Sequence, residues 1–136
     1  MGVDVGTKRV GLAQSDPLRM FAQPIGAYSP SEAIEVLKKL NESEGIEILV
    51  IGWPLEEDGS EGKATGFVRA YEERLKSNLG RITVQRWDER YTSIMAKEAI
   101  LHAGAGRKAR RDRGRVDAAA AAIILQEYLG SLQDNV

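Results

Sequence analysis

The chain has 136 residues, 43% hydrophobic and 29% charged, proportions that suit a single globular domain with one continuous core. It has no cysteine and one histidine, His102, which excludes disulfides, thiol catalysis and cysteine-ligated zinc, argues against a histidine-based triad, and leaves carboxylates, lysines and hydroxyls for chemistry. The net charge of -1 means that a nucleic-acid partner would need a local basic patch, and the want of a membrane-length apolar run or signal peptide points to the cytoplasm and to no membrane role.

Met1 to Val5 is a short apolar run carrying one charge, Asp4. Side chains alternate across a strand, so Val3 and Val5 share one face and Asp4 projects from the other, beside the turn Gly6-Thr7-Lys8-Arg9. A carboxylate in a strand is costly unless a cation or hydrogen-bond donors meet it. Asp4 is therefore the first candidate for chemistry, the plainer alternative being a surface strand wetted by solvent. Arg9 to Ser15 reads as a second strand and Pro24 to Tyr28 as a third, with Asp16-Pro17 breaking the chain between them, which suggests an antiparallel meander. Ser29-Pro-Ser-Glu32 is a helix start with Ser29 as N-cap, Pro30 at the first position and Glu32 completing a capping box. Ala33, Val36, Leu37 and Leu40 then give that helix one apolar stripe.

Glu47 to Gly52 lacks alternation and reads as a parallel strand covered on both faces, stopped by Trp53-Pro-Leu. The acidic loop from Glu56 to Gly62 reads as a solvated tip, since flexible surface carboxylates lack preorganisation, although it follows the carboxyl end of a parallel strand. From Ala64, the positions Phe67, Val68, Tyr71 and Leu75 predict a helix that lasts to Gly80. Ile82 to Trp87 is the last strand, and it delivers Asp88-Glu-Arg90 at its end. Neighbouring strand residues face opposite ways, so only one of Asp88 and Glu89 points where Asp4 points. Tyr91-Thr-Ser93 offers N-cap hydroxyls for a helix through Met95, Ala96, Ala99, Ile100 and Ala103, and Asp88 also reads as a favourable charge ahead of that helix.

Residues 107 to 115 are the composition break, with six basic residues (Arg107, Lys108, Arg110, Arg111, Arg113, Arg115) against Asp112 alone, a local charge of +5. Glycines 104, 106 and 114 argue for a flexible loop over about 104 to 115, and guanidinium forks suit phosphate oxygens, so this segment reads as a phosphate-tracking arm rather than merely solvated chain. The last helix is expected from about Val116 to Leu129, with Asp117 on the inward face beside Ala120, Ala121, Ile124 and Tyr128. There Asp117 is either a partner of the helix dipole or a ligand.

Asp4-Val-Gly-Thr-Lys-Arg-Val-Gly-Leu-Ala13 with Ser15-Asp16, Ile51-Gly-Trp-Pro-Leu55 with Asp58-Gly-Ser-Glu-Gly62, Asp88-Glu-Arg-Tyr-Thr-Ser93 and Val116-Asp-Ala-Ala-Ala-Ala-Ala-Ile-Ile-Leu125 together resemble the YqgF family, also called RuvX-like. The resemblance spans essentially the whole chain and implies a single α/β domain of the ribonuclease-H-like fold. Its mixed five-stranded sheet, three antiparallel strands and then parallel ones, would be flanked by helices in the order β-β-β-α-β-α-β-α with a further C-terminal helix. The actin and hexokinase ATPases open with a similar Asp-x-Gly-Thr, but they clamp a nucleotide between two such domains, and 136 residues suffice for one. One departure is Trp53, where the family usually has a smaller apolar residue, a change that could alter substrate stacking.

In such a fold the first strand sits centrally and the last helix crosses it, so Asp4, Asp88-Glu89 and Asp117 would converge. Clustered carboxylates remain ionised at neutral pH only with a cation among them, and hard oxygen ligands without histidine or cysteine suit Mg²⁺ or Mn²⁺. Two such ions can position a water and stabilise the leaving oxygen of a phosphodiester displacement. The family resemblance implies catalytic, metal-binding acids at Asp4, Glu89 and Asp117, with Asp88 secondary. By position, Thr7, Lys8 and Arg9 could touch phosphate, and Arg90 could neutralise developing charge. The function expected is metal-dependent hydrolysis of structured nucleic acid, in maturing the 5′ end of pre-16S rRNA. The alternatives are resolution of Holliday junctions, which would call for a homodimer, and a non-catalytic nucleic-acid-binding module.

Overall fold

The computed structural model describes the backbone of residues 1–90 and 109–134, and side chains over 1–90 and 117–133. The opening meander is β1 (Gly2–Val5), β2 (Val10–Ser15) and β3 (Ala22–Tyr28), followed by α1 (Pro30–Ser43), β4 (Ile48–Trp53), α2 (Lys63–Leu79), β5 (Thr83–Asp88) and α3 (Ala109–Asp134). The five strands form one sheet in the order β3-β2-β1-β4-β5. Pairing is antiparallel between β1 and β2 and between β2 and β3, and parallel between β1 and β4 and between β4 and β5. This is the expected mixed sheet with β1 at its middle. The helix expected over Met95 to Ala103 lies outside the described residues.

Local chemistry sets the element boundaries. Asp16 Oδ1 accepts the backbone N–H groups of Met20 and Phe21, both at 2.8 Å, and so closes the β2–β3 turn. Pro24 is tolerated because β3 is an edge strand, where a missing N–H costs nothing to a neighbour. Ser29 caps α1 by accepting from the Glu32 N–H at 3.2 Å.

The two faces of the sheet carry different packing. Val3, Val10, Leu12, Leu49, Ile51 and Trp53 meet Ala33, Ile34 and Leu37 of α1 and Val68, Tyr71, Leu75 and Leu79 of α2. Each large aliphatic chain buried there contributes about 1.5–3 kcal/mol of transfer free energy. On the other face, Ala13 and Val50 meet Ala121, Ile124, Leu125 and Leu129 of α3. Because strand side chains alternate, the neighbours of the first set, Asp4 among them, lie under α3.

Five expectations change. Phe67 is 42% exposed, since the buried stripe of α2 runs through Thr65, Val68, Tyr71, Leu75 and Leu79. Trp53 ends β4 inside the core at 6% exposure, its ring covered by Arg86 with the guanidinium carbon 3.9 Å from the centroid, so it offers no free face for a base. The third strand begins two residues before Pro24, and the last one covers Thr83–Asp88.

The largest change is in the basic segment. α3 begins at Ala109 and runs through Gly114, so residues 109 to 115 are helical rather than loop. A helix already fixed by packing from Ala118 to Leu129 extends one hydrogen bond per residue, and an interior glycine costs only about 1 kcal/mol against that. Residues 104 to 108 are outside the described residues. Among the described residues, no helix is long and apolar enough to cross a membrane.

Candidate active site

The parity of three strands builds the site. Asp4 pairs with Gly11 across β1 and β2, and Gly52 of β4 pairs with Trp87 of β5. Trp87 packs toward α3, meeting Tyr128 edge to face at 5.9 Å and donating its indole N–H to Glu127 at 2.8 Å. Glu89, two residues on, continues to that face. Its own N–H donates to the Trp53 carbonyl at 3.2 Å, which holds the chain in register just past the strand.

Glu89 lies directly over Gly52. A Cβ at Gly52 would stand 2.3 Å from Glu89 Oε2 and 2.7 Å from Ile124 Cδ1, so only glycine leaves the carboxyl its place. Oε2 is buried and has no hydrogen-bond partner among the described residues, an acceptor of the kind that costs about 1–3 kcal/mol unless something meets it.

Asp4 and Glu89 interact side chain to side chain. Burial pushes the Asp4 carboxyl up to about 6, the hydrogen bond with Glu89 pulls it back, and the Asp117 charge adds to the rise. Burial again comes first at Glu89, followed by the negative charge of Asp4, and together they push it up to about 9. The two carboxyls are coupled through that hydrogen bond and titrate as a pair. At neutral pH the pair thus holds a proton where a cation could stand.

Asp117 enters from α3. The helix approaches β2 so closely that a Cβ on Gly11 would stand 2.0 Å from the Asp117 carbonyl oxygen. Its carboxylate, near enough to raise Asp4, accepts from Arg9 Nε at 2.9 Å, with the two side chains 26% and 34% exposed. Arg9 is fixed in turn by the β1–β2 turn, in which the Gly6 N–H donates to the Arg9 carbonyl at 2.9 Å. Thr7 and Lys8 are exposed at the same turn.

Asp88 goes elsewhere. It is exposed and gripped by Arg90 through Nε at 2.9 Å and Nη2 at 2.7 Å, and those hydrogen bonds hold its carboxyl below the usual range. Arg90 Nη1 also donates to the Glu57 carbonyl at 3.3 Å, tying the acidic loop to the end of β5. Arg110, Arg111, Arg113 and Arg115 stand on the first turns of α3, and Arg107 and Lys108 lie outside the described residues.

The structure therefore brings Asp4 and Glu89 together, sets Asp117 within electrostatic reach of Asp4 and in an ion pair with Arg9, and turns Asp88 away. Among the described residues no three acidic or histidine side chains are grouped so as to hold a metal ion, and Asp117 is paired with Arg9. The donor set still suits a hard divalent cation: carboxylate oxygens, one of them without a hydrogen-bond partner among the described residues, and two buried acids coupled to each other. Sequence reasoning missed two supporting parts, Gly52 beneath Glu89 and the Arg9–Asp117 pair. A glycine interrupting the β-branched run of β4 was the available signal for the first.

Comparison with known proteins accords with this geometry. The chain is 55% identical to a protein of Salinibacter ruber named "Putative pre-16S rRNA nuclease", over 95% of this chain and 90% of that protein. It is 40% identical to a protein of the same name from Chlorobaculum tepidum, over 96% of this chain and 92% of the other. Among solved structures, RuvC of Thermus thermophilus in complex with a Holliday junction substrate superposes with a TM-score of 0.55, at 15% identity, over 97% of this chain and 93% of that one, a likeness of ribonuclease-H-like fold. Residues 1–131 match the family described as "RuvX: Holliday junction resolvase", and to that family the chain belongs.

Proposed function

We propose that this protein is a divalent-metal-dependent nuclease that hydrolyses phosphodiester bonds at the 5′ end of pre-16S rRNA. The observation that carries the chemistry is the meeting of Asp4 and Glu89 over Gly52, with the buried Oε2 of Glu89, unpartnered among the described residues, between sheet and helix. The substrate rests on the names carried by the relatives from Salinibacter ruber and Chlorobaculum tepidum. The same reading has the protein working in the cytoplasm.

Asp4, Glu89 and Asp117 would hold Mg²⁺ or Mn²⁺, two ions in the fullest form of the site. Bound there, such ions supply an activated water and neutralise charge developing on the phosphate. The chain's own groups do the rest. Gly52 and the Trp53 carbonyl keep Glu89 in place, and Asp4 is fixed by the middle strand of the sheet, so neither carboxylate has to reorganise. Lys8 and Thr7, exposed at the β1–β2 turn, are placed to receive a phosphate, and the basic first turns of α3 add non-specific attraction for the backbone. Arg90 is committed to Asp88 and Glu57, and it serves the acidic loop before it serves substrate.

A second reading, resolution of Holliday junctions, is favoured by the description of the matching family. Digestion of a four-way DNA junction and a 16S precursor side by side, with Mg²⁺ and with Mn²⁺, decides between them. Cleavage of the precursor alone supports the RNA reading, and symmetric cleavage of the junction by a dimer supports the other.

A further inference from the structure

The Arg9–Asp117 pair has no evident task in holding the fold. Both partners are partly exposed, and pairs of that kind contribute about 1 kcal/mol or less. Gly11 and the alanines of α3 already fix the approach of that helix to the sheet. What the pair does occupy is one of the three acids of the proposed metal site, by means of a positive group anchored in the β1–β2 turn.

Resting on the metal-site reading above, we propose that Arg9 is a displaceable internal counter-ion, its guanidinium standing on Asp117 until a divalent cation takes that carboxylate and releases the arginine toward the phosphate of the substrate. Two observations support it. Arg9 Nε stands 2.9 Å from Asp117 Oδ2, an oxygen that an ion bound to Asp117 would take, so the guanidinium and the ion would compete for one place. Arg9 follows the exposed Thr7 and Lys8 in the turn, so a freed guanidinium remains on the surface where phosphate would arrive. The device keeps the metal-free cluster from standing uncompensated and couples entry of the ion to presentation of a phosphate-binding group.

The test is a Mn²⁺ titration of wild type, Arg9→Gln and Arg9→Lys, read by the EPR signal of free Mn²⁺, with melting of each metal-free protein alongside. The expected result is Mn²⁺ binding about five- to tenfold tighter in Arg9→Gln and close to wild type in Arg9→Lys. Equal or weaker binding in Arg9→Gln, with wild type binding normally, overturns the inference and leaves the metal site standing. Failure of both proteins to bind overturns the two together. A second readout needs no variant: in wild type the Arg9 Nε–H resonance should move to the position of free arginine as Mg²⁺ saturates. A resonance that stays fixed at saturation refutes the exchange even if Arg9→Gln does not fold.

Discussion

Glu89 lies over Gly52 so closely that a single methyl group at residue 52 would stand 2.3 Å from its Oε2. The glycine is the floor of the carboxylate's place. Gly52→Ala should therefore push Glu89 away from Asp4 while costing about 1–3 kcal/mol in overpacking against Ile124. The expected phenotype is a folded protein with Mn²⁺ affinity reduced at least about tenfold, checked by calorimetric titration after a melting curve.

The acid pair sets the pH response of the metal-free protein. Folding raises Asp4 from 3.8 to about 6 and Glu89 from 4.5 to about 9, so between those values the native state holds more protons than the unfolded chain. Stability must then fall as pH rises from about 4 to about 9, and be highest, for this pair, on the acid side. Melting temperatures across that range in EDTA should show the decline, and saturating Mg²⁺ should remove most of it at the alkaline end.

Replacing Glu89 by its amide removes the cost of holding, at alkaline pH, a proton that the unfolded chain would release. Glu89→Gln should raise the melting temperature of the metal-free protein at pH 8 by several degrees, on the order of 3–5 °C per kcal/mol for a domain of this size, while abolishing Mn²⁺ binding. Asp88→Asn provides the contrast, because Asp88 is exposed and turned toward Arg90. It should cost no more than about 1 kcal/mol and leave Mn²⁺ affinity within about twofold. Paired melting and titration of the two variants tells which of the adjacent acids is the ligand.

Gly11 controls the position of Asp117. A Cβ there would stand 2.0 Å from the Asp117 carbonyl oxygen, a backbone atom that cannot turn aside. Gly11→Ala should lift the start of α3 from the sheet at a cost of about 3 kcal/mol or more, read in denaturant unfolding. Gly66, which among the described residues has nothing within 4 Å of the position of its Cβ, should accept alanine without loss and is the control.

Much of this was legible in the amino-acid pattern. The lone charge of β1, the unalternating run of β4 and the Ser29-Pro30 start of α1 each state a local preference that the packing does not oppose, and alternation alone shows that Asp88 and Glu89 must diverge. What was not legible depends on contacts between distant residues. Phe67 fits a helical stripe as well as its neighbours do, and only the placement of α2 on the sheet leaves it outside. Gly114 looks like a breaker until the packed part of α3 outweighs it. The hold of Arg9 on Asp117 joins residues 108 positions apart, and no local rule reaches that far.

Asp4 takes part in cleavage rather than in folding if the acid pair is the seat of catalysis. That role is tested most directly by incubating wild type and Asp4→Asn with a 16S precursor and Mn²⁺, and comparing cleavage rates with precursor affinity measured in Ca²⁺. The account predicts cleavage reduced at least about a thousandfold in Asp4→Asn, with affinity and melting temperature no lower than wild type. Cleavage by Asp4→Asn at the wild-type rate, in a preparation free of other nucleases, would contradict it.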